Sequence, residues 1–429
     1  MKKTLIVLFV VLTLVLTACG GAAQQKPTEA AGAGEPVKIS MMMWGSPEEL
    51  EIWKTLAADF TAKNPNIQVE VGVSDWDSFQ EKLKVLHAGG NPPDIFAVDA
   101  PLLPDWVGRD AILNLQPYID ATPDFLKDFY PQTLTAYKFP DGMYGLPRDF
   151  QTIMMYYNKD MFDAAGVAYP TKDWTMDDFR AIAKKLTKDV NGDGTVEQWG
   201  FGADLWDMEL FWSTAVWAFG GEIINPEHTK TLIGDANSRK AFEFIDSVVK
   251  DGSMPTPDQA AQYGYDLFQS GNVAMWPIGH WALNDYRSVS FKFDVAPMPK
   301  GPAGQATSVN SAGFVVSKKS KNPDAAWEFL KFALSTDGQS RLAALGLAIP
   351  ALKPVAESPA YLEQKTVAID HKAFLDALAY AHPKPSFKGY EEWATVIGDG
   401  LTPVWNGQEE LNATLDQILP AADEVLAKN

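Results

Sequence analysis

Short apolar runs alternate with helical patterns along the first 60 or so residues after position 36. Apolar runs at 37–43, 67–73 and 94–98 predict β-strands. Between the first two, apolar residues recur at helical spacing, at Leu50, Trp53, Leu56, Ala57 and Phe60, and residues 79–87 belong to a second helix. This alternation of strands and helices predicts an α/β lobe with a parallel sheet between helices.

Side chains that follow the ends of these strands are the first candidates for a binding site. Ligands of open parallel sheets bind beyond the carboxyl ends of the strands. Trp44 and Ser46 follow the first strand, Trp76 follows the second, and Asp99 follows the third. We therefore expect these four residues to line a ligand site.

Residues 142–166 change character twice and predict a crossover between two lobes. Pro147 closes a short run that Gly142 and Gly145 interrupt, and the polar side chains of Arg148, Asp149 and Gln151 follow it. An apolar strand at 153–157 and a helix at 159–165 come next, and Gly166 ends the helix. The polar side chains at the bend are either ligand contacts or, for Arg148 and Asp149, a structural pair that braces a hinge.

The rest of the chain predicts a second α/β lobe and a return to the first. Helices are expected at 177–188, 205–219, 237–250 and 258–269, and strands at 199–203 and 273–277. The chain is expected to cross back near 291–302 and to cross a third time near 355–359. The predicted first lobe comprises residues 37–148 and 298–356, and the second comprises 149–297 and 357–429.

The amino-terminal residues predict a bacterial lipoprotein signal. Lys2 and Lys3 precede an apolar run at 5–16, which is too short to span a bilayer but fits a secretory signal. The run ends in Leu-Thr-Ala-Cys, which resembles a lipoprotein cleavage site, so Cys19, the only cysteine, is the predicted lipid attachment point after removal of residues 1–18. Residues 19–36 form a predicted flexible tether, whose residues 20–36 are small or polar.

Charge and length narrow the range of functions. The chain has 36 basic and 55 acidic residues, a net charge of −19, and loss of Lys2 and Lys3 with the signal makes it −21. This acidity argues against nucleic acid as a partner, because phosphate binding needs a basic surface. Roughly 390 residues after the tether exceed what one core usually serves, so two domains are expected.

The search for catalytic motifs is negative. The sequence has no HExxH, no GxSxG, no Walker A loop and no GxGxxG after a strand. The five histidines are scattered along the chain, with no pair at metal-ligand spacing. This absence, together with the family resemblance described below, predicts a binding protein rather than an enzyme. A secreted carbohydrate-active enzyme is kept as the rival from another class.

Tryptophan content points to a carbohydrate ligand. The face of a pyranose ring presents C–H groups that stack on an indole, while carboxylates, amides and arginine bond its hydroxyl groups. Of the 14 tryptophans, Trp53, Trp199 and Trp327 lie within periodic helix or strand patterns and are expected in the core. Positions in loops or at helix starts make five others candidates for ligand contact: Trp44, Trp76, Trp206, Trp281 and Trp393.

Residues 189–197 form the most specific short motif. Asp189, Asn191, Asp193, Thr195 and Glu197 follow the ligand spacing of an EF-hand calcium loop. Position 12 of the loop is Gly200, so the usual bidentate glutamate is missing. A structural calcium site and a metal-free turn are both compatible with this pattern.

Several longer segments together resemble one protein family. These segments are YGLP at 144–147 with YYNKDMF at 156–162, PPDIFAVDA at 92–100, GNVAMWPIGHWAL at 271–283, SAGFVVSKKSKNPDAAWEFLKF at 311–332 and GLAIPALKPV at 346–355. They resemble the solute-binding proteins of ABC importers, in the maltose-binding-protein-like branch that binds sugars and oligosaccharides. The resemblance implies a type II periplasmic-binding-protein fold, with two lobes, each a mainly parallel sheet flanked by helices, and a ligand cleft between them.

The resemblance also implies partners and site residues. It implies a monomer outside the cytoplasm, here lipid-anchored, that captures a carbohydrate by hinge closure and delivers it to permease subunits. Trp281 and Trp393 fall where sugar-binding members place stacking aromatics, and Asp99 matches a ligand position. Gln151 departs from the best-known maltodextrin binders, where an acid is usual. A polyol, glycerol phosphate or peptide ligand is the alternative, and several members have a calcium loop similar to residues 189–197.

Overall fold

The structure is a computed structural model that describes residues 35–428 except 265, 345, 347 and 366. The predicted signal, Cys19 and most of the tether lie outside the described residues.

The strands are β1 Val37–Trp44, β2 Ile67–Ser74, β3 Ile95–Asp99, β4 Lys138–Phe139, β5 Gly142–Met143, β6 Leu146–Pro147, β7 Asp149–Thr152, β8 Met154–Asn158, β9 Met275–Ile278, β10 Phe293–Ala296, β11 Thr307–Asn310, β12 Ala312–Val316, β13 Ile349–Pro350 and β14 Ala381–Pro383.

Helices cover about half of the remaining described chain. They are α1 Pro47–Lys63, α2 Trp76–Ala88, α3 Leu103–Gly108, α4 Gln116–Asp120, α5 Pro131–Thr135, α6 Lys159–Ala165, α7 Met176–Leu186, α8 Trp212–Ala218, α9 Ala236–Lys250, α10 Pro257–Ala260, α11 Leu283–Tyr286, α12 Pro323–Ala333, α13 Thr336–Ala344, α14 Lys353–Ala356, α15 Pro359–Leu362, α16 His371–Asp376, α17 Tyr390–Trp405 and α18 Leu411–Leu426. Short 3₁₀ turns occur at Ala100–Leu102, His280–Ala282 and Ala377–Tyr380. In the described part of the chain, no helix is both long and apolar enough to cross a membrane.

The first lobe is built on a five-stranded sheet. Its order is β2-β1-β3-β12-β6, with β1 parallel to β2 and β3, and β12 antiparallel to β3 and β6. Helix α1 begins at a capping box, in which Ser46 and Glu49 each bond the other's backbone N–H. Its buried face includes Trp53, which meets Phe314 of β12 edge to face at 5.1 Å. This sheet places Trp44 and Asp99 at strand ends, as the sequence predicts.

The second lobe has a smaller sheet whose strands run antiparallel. Strand β8 lies in the centre, and both β9 and β10 pair with it in antiparallel register. The expectation of a mainly parallel sheet in this lobe is therefore corrected. The chain leaves the lobe junction along β8, and β10 leads back to the junction strand β11, so the two strands run in opposite directions.

A third sheet joins the lobes, in the order β13-β7-β11-β14. Only Arg148 separates β6 from β7, and only Ser311 separates β11 from β12, so the chain passes between sheets at these two residues. The Arg148 backbone N–H donates to the Ala312 carbonyl at 2.8 Å, and the Ser311 hydroxyl donates to the Asp149 carbonyl at 2.7 Å. Two adjacent, hydrogen-bonded crossings form a short double connection suited to a hinge.

Gly313 shows how closely the chain is packed beside this connection. A Cβ atom at Gly313 would lie 2.5 Å from both the Leu146 carbonyl oxygen and the Tyr137 hydroxyl. The second crossing, at Ser311, comes after residues 291–302, where the sequence suggested it. The predicted lobe boundaries remain a proposal.

Two predicted helices in the second lobe are shorter than the sequence pattern indicates. The helix expected at 205–219 begins only at Trp212, because Asp207 Oδ1 accepts the Glu209 N–H and holds the preceding residues in turns. The helix expected at 258–269 ends at Ala260, before Gly264, whose φ of +100° is incompatible with a helix. The turns before α8 carry the candidate-site side chains of Trp206, Asp207 and Glu209.

Candidate functional site

Residues from both lobes and from the connecting sheet meet at the lobe junction. Asp99 is the last residue of β3, and Asn310 is the last residue of β11. The Asn310 side-chain amide donates to Asp99 Oδ1 at 2.7 Å and to Glu209 Oε2 at 3.3 Å. Glu209 lies in the turns before α8, so one amide connects the first lobe to the second.

Lys384 places a single positive charge among three carboxylates at this point. Its Nζ lies 2.8 Å from Glu209 Oε2, 3.7 Å from Asp207 Oδ1 and 4.0 Å from Asp99 Oδ2. The side chain of Lys384 is 8% exposed and that of Glu209 is 6% exposed. We call Asp99, Asp207, Glu209, Asn310 and Lys384 the junction cluster.

The electrostatics of the junction cluster follow from burial and a shortage of cations. Burial raises the pKa of Asp99, and it raises the pKa of Glu209 to about 7 although Lys384 opposes the change. Burial alone would lower the pKa of Lys384, but Asp207, Glu209 and Asp99 outweigh it and raise that pKa well above its usual value. Glu209 Oε1 has no hydrogen-bond partner within the described structure. A donor group on a ligand could therefore bond to it.

Arg148 and Asp149 form the predicted pair at the crossing. Arg148 Nε donates to Asp149 Oδ2 at 2.6 Å, and their side chains are 11% and 4% exposed. The guanidinium also lies 5.6 Å from the centre of the Trp44 ring. Gln151, two residues further along β7, is buried, and its Oε1 has no partner among the described residues. These contacts favour the hinge-bracing role for Arg148 and Asp149.

Several predicted aromatic side chains are open to solvent. Trp76 is 40% exposed and meets Trp44 edge to face at 4.9 Å. Trp206, three residues before Glu209, is 55% exposed, and Trp281, in the turn after β9, is 36% exposed. Exposed indoles on both lobes provide stacking surfaces for a ring.

Trp393 corrects one sequence expectation. It lies one turn into α17, is fully buried, and packs against Phe387 at 5.4 Å. Its indole Nε1 donates to Thr231 Oγ1 at 2.9 Å. A side chain packed in this way is part of the core, so Trp393 does not line a cleft in this structure. Ser46 is also engaged, because its hydroxyl caps α1, and its ligand contact stays a prediction.

Sequence reasoning missed Glu209, Asn310 and Lys384 as site residues. No aromatic or acidic residue adjoins Asn310 in the sequence, and Glu209 falls inside the helix predicted at 205–219. Lys384 lies between two prolines, Pro383 and Pro385, which is the one local sign of an unusual backbone. Glu209 and Lys384 are 175 residues apart in the chain, so spacing could not connect them.

Two histidines come together although the sequence separates them. His280 Nε2 lies 3.2 Å from His371 Nδ1, and both side chains are buried. Burial lowers the pKa of both imidazoles, most strongly that of His280. The pair packs against Tyr361 and Phe374, so it is a core feature beside the Trp281 turn.

The calcium-like loop folds into a compact group of oxygen atoms. Ligand atoms of Asp189, Asp193 and Glu197 lie within 4.8 Å of one another. Asn191 donates to Glu197 Oε1 at 2.9 Å, and the Thr195 backbone N–H donates to Asp193 Oδ1 at 2.8 Å. Carboxylate and carbonyl oxygens are the ligands that calcium prefers, so the donor set fits that ion.

Comparison with known proteins places this arrangement in a family. The profile of the bacterial extracellular solute-binding proteins matches residues 44–340. A Brucella abortus protein named only as a binding protein is 28% identical over 86% of this chain and 88% of its own length. A maltotriose-binding protein of Pyrococcus abyssi is 25% identical over 89% of this chain and 80% of its own length.

Solved structures show the same two-lobe architecture. The ABC substrate-binding protein Lmo0181 of Listeria monocytogenes, solved in complex with cycloalternan, superposes with a TM-score of 0.84 and 26% identity. The match covers 92% of this chain and all of the Listeria chain.

Proposed function

The chain belongs to the bacterial extracellular solute-binding proteins, and from this premise we propose that it captures a sugar or oligosaccharide between its lobes for an ABC importer. The two sugar-associated relatives above support a carbohydrate as the solute. Family membership implies a location outside the cytoplasm.

One observation carries the proposal: carboxylate, amide and ammonium groups from both lobes converge at the junction cluster, and exposed indoles occur on both lobes. Sugar hydroxyls both donate and accept hydrogen bonds, so Glu209 Oε1 and Asp99 can accept from them while Lys384 donates. Trp76, Trp206 and Trp281 are the proposed stacking residues. Contacts to both lobes would favour the closed conformation, because a ligand shifts the equilibrium by its differential affinity for the two states.

A thermal-shift screen of the purified protein against a panel of mono- and oligosaccharides tests this proposal. A ligand present at 100 times its dissociation constant should stabilise the protein by about 2.7 kcal/mol. Polyols, glycerol phosphate and short peptides form the comparison set. Stabilisation by members of that set alone would contradict the carbohydrate assignment. Unchanged sugars after prolonged incubation are expected, since we propose binding without catalysis.

We also propose that the loop of Asp189, Asn191, Asp193, Thr195 and Glu197 holds a structural calcium ion. The ion would cross-link this turn after α7 without taking part in sugar binding. The parent protein should melt at a higher temperature in calcium than in chelator. Asp193→Ala should remove this difference and leave the sugar affinity unchanged. A parent protein with equal melting temperatures in calcium and chelator would exclude the site.

Lipid attachment at Cys19 is likewise proposed, as are delivery to permease subunits and a monomeric state. The proposed thioether bond requires the Cys19 thiol, so Cys19→Ser should leave an unlipidated precursor. Fractionation of cells labelled with a fatty acid would test this. Label retained on the variant at the parent level would contradict the attachment point.

A further inference from the structure

A separate cavity lies within the second lobe. Its volume is about 320 Å³, and it is bounded by residues 203–206, by residues between Met254 and Gly264, by Leu267 and by α17. None of the five residues of the junction cluster lines it. Sites for small molecules begin at roughly this size, so the cavity can accept one ring of a larger ligand.

The cavity wall is mostly apolar, with aromatic and acidic side chains at defined places. Met254, Pro255 and Leu267 supply apolar surface. Trp206 lines the cavity while keeping 55% of its surface exposed. Trp405 also lines it, and its buried indole N–H has no partner in the described part of the chain. Buried donors are normally paired, so this unsatisfied N–H is an unusual feature of the cavity wall.

Asp204 gives the cavity its charge. Burial raises the pKa of its carboxyl group to about 7, and the nearby Asp266 and Asp207 carboxylates add to the effect. Asp266 accepts hydrogen bonds from the Tyr286 hydroxyl and from two backbone N–H groups. Among the described residues, neither Asp204 nor Asp266 has a Lys or Arg within ion-pair distance, and Lys384 lies beside Asp207.

The negative field extends along the second lobe beyond this cavity. Asp266 also acts electrostatically on Asp285, which follows the exposed Trp281 in the chain. At the other end, the junction cluster has three carboxylates for one ammonium. Apolar and aromatic walls beside uncompensated carboxylates favour a group that is itself positively charged, because such a group gains from both the carboxylate and the indole face.

We propose that this cavity is a subsite for a sugar ring that carries a protonated amine, with the ammonium at Asp204 and the ring face against Trp206. The inference rests on the proposed carbohydrate function and narrows its ligand class to amino sugars. A neutral hydroxyl could also bond to Asp204, but it would leave the charge of Asp204 and Asp266 uncompensated. An ammonium forms the stronger, charge-assisted bond.

Matched pairs of sugars that differ only in the amine test the proposal. Calorimetry at pH 7 and low salt would compare glucosamine with glucose, galactosamine with galactose, and the β-1,4-linked glucosamine dimer with cellobiose and with the diacetylated dimer. We expect an amine to bind about tenfold more tightly than its hydroxyl or acetylated partner in at least one pair, the effect of one charge-assisted bond. Raising the salt should reduce this preference.

Two variants distinguish a preference for amines that arises in the cavity from one that arises from the overall negative charge of the protein. Asp204→Asn should abolish the preference for the amine, whereas Glu392→Gln, which removes one exposed carboxylate on α17, should keep it. Asp204→Asn should also raise the melting temperature of the free protein at pH 8, because it removes a buried charge and its repulsion with Asp266 and Asp207. This second readout does not depend on any ligand.

The outcomes distinguish the two proposals. Binding of neutral sugars with no preference for amines in any pair would overturn the amino-sugar inference and leave the carbohydrate function intact. A preference that survives Asp204→Asn would overturn the assignment to this cavity. Absence of binding by every sugar, charged or neutral, would overturn both.

Discussion

At the scale of single residues, the site is defined by an imbalance of charge. Lys384 faces Asp99, Asp207 and Glu209 within 4.0 Å, and these side chains are largely removed from water. Removing one partner of a buried ionic group leaves an uncompensated charge, which costs far more than the pair gains. Each member of the junction cluster therefore affects stability as well as binding.

We predict that Lys384→Met lowers the free energy of unfolding by about 3 to 5 kcal/mol. The substitution removes the ammonium and leaves three carboxylates facing one another. Lys388→Met, four residues later at an exposed position, is the control and should change stability by less than about 0.5 kcal/mol. Urea unfolding of both variants measures this, and equal effects would contradict the cluster.

The raised pKa of Glu209 makes its contribution to the free energy of unfolding fall as the pH rises. A carboxylate whose pKa is lowered by folding has the opposite effect. The pKa of Glu209 is about 7 in the folded protein and 4.5 without burial. The folded state therefore holds this proton more tightly, so the stabilisation is complete below pH 4.5 and is lost as the pH rises through 7. Relative to the parent, Glu209→Gln should gain up to about 3 kcal/mol of stability between pH 5 and pH 8.

Unfolding of parent and variant at the two pH values gives this difference directly. Taking the difference cancels the other titrating groups, including the buried pair of His280 and His371, which destabilises the fold at acid pH. A pH-independent difference would show that Glu209 titrates as an exposed carboxylate.

At the scale of elements, the same residue type serves as core or as binding surface according to its place. Trp393 lies on the inner face of α17 with Phe387 and Thr231 around it, while Trp206 lies in the turns before α8. Both occur in loop-like or helix-start contexts in the sequence. Only the packing of α17 against α18 and α9 separates them.

Alanine substitution should separate these two tryptophans. Trp393→Ala should lower the free energy of unfolding by about 3 to 5 kcal/mol, since it opens a cavity in the core and leaves Thr231 without its donor. Trp206→Ala should change it by less than about 0.5 kcal/mol, because the side chain is mostly exposed. Thermal melts without ligand decide between them, and a stability loss at Trp206 larger than at Trp393 would reverse the assignment.

Sequence periodicity predicted the elements of the first lobe well, for local reasons. The capping box of Ser46 and Glu49, Pro47 between these two residues and the apolar spacing of α1 all lie within one short segment. The second lobe was less predictable. The spacing of aromatic residues at 205–219 predicts one helix, but Asp207 Oδ1 accepts the Glu209 N–H and keeps the first part of this segment in turns. The sequence could not predict the roles of Glu209, Asn310 and Lys384 in the site, because only folding brings these distant segments together.

At the scale of the whole molecule, the two lobes are in contact across the junction. Lys84 of α2 pairs with Glu391 of α17 at 3.3 Å, and the Ser386 hydroxyl donates to the Ala100 carbonyl at 3.0 Å. The Gly389 N–H donates to Asp105 Oδ2 at 3.1 Å. The lobes therefore already have a contact surface that a ligand between them could stabilise.

The most direct test of the account is calorimetric titration of the best sugar from the screen into the parent protein, Asp99→Asn and Trp281→Ala. The parent should bind one sugar per chain. Each variant should lose roughly 1 to 3 kcal/mol of binding, Asp99→Asn through a charge-assisted bond from the first lobe and Trp281→Ala through apolar area on the second. Full affinity in both variants would contradict a sugar site formed jointly by the two lobes.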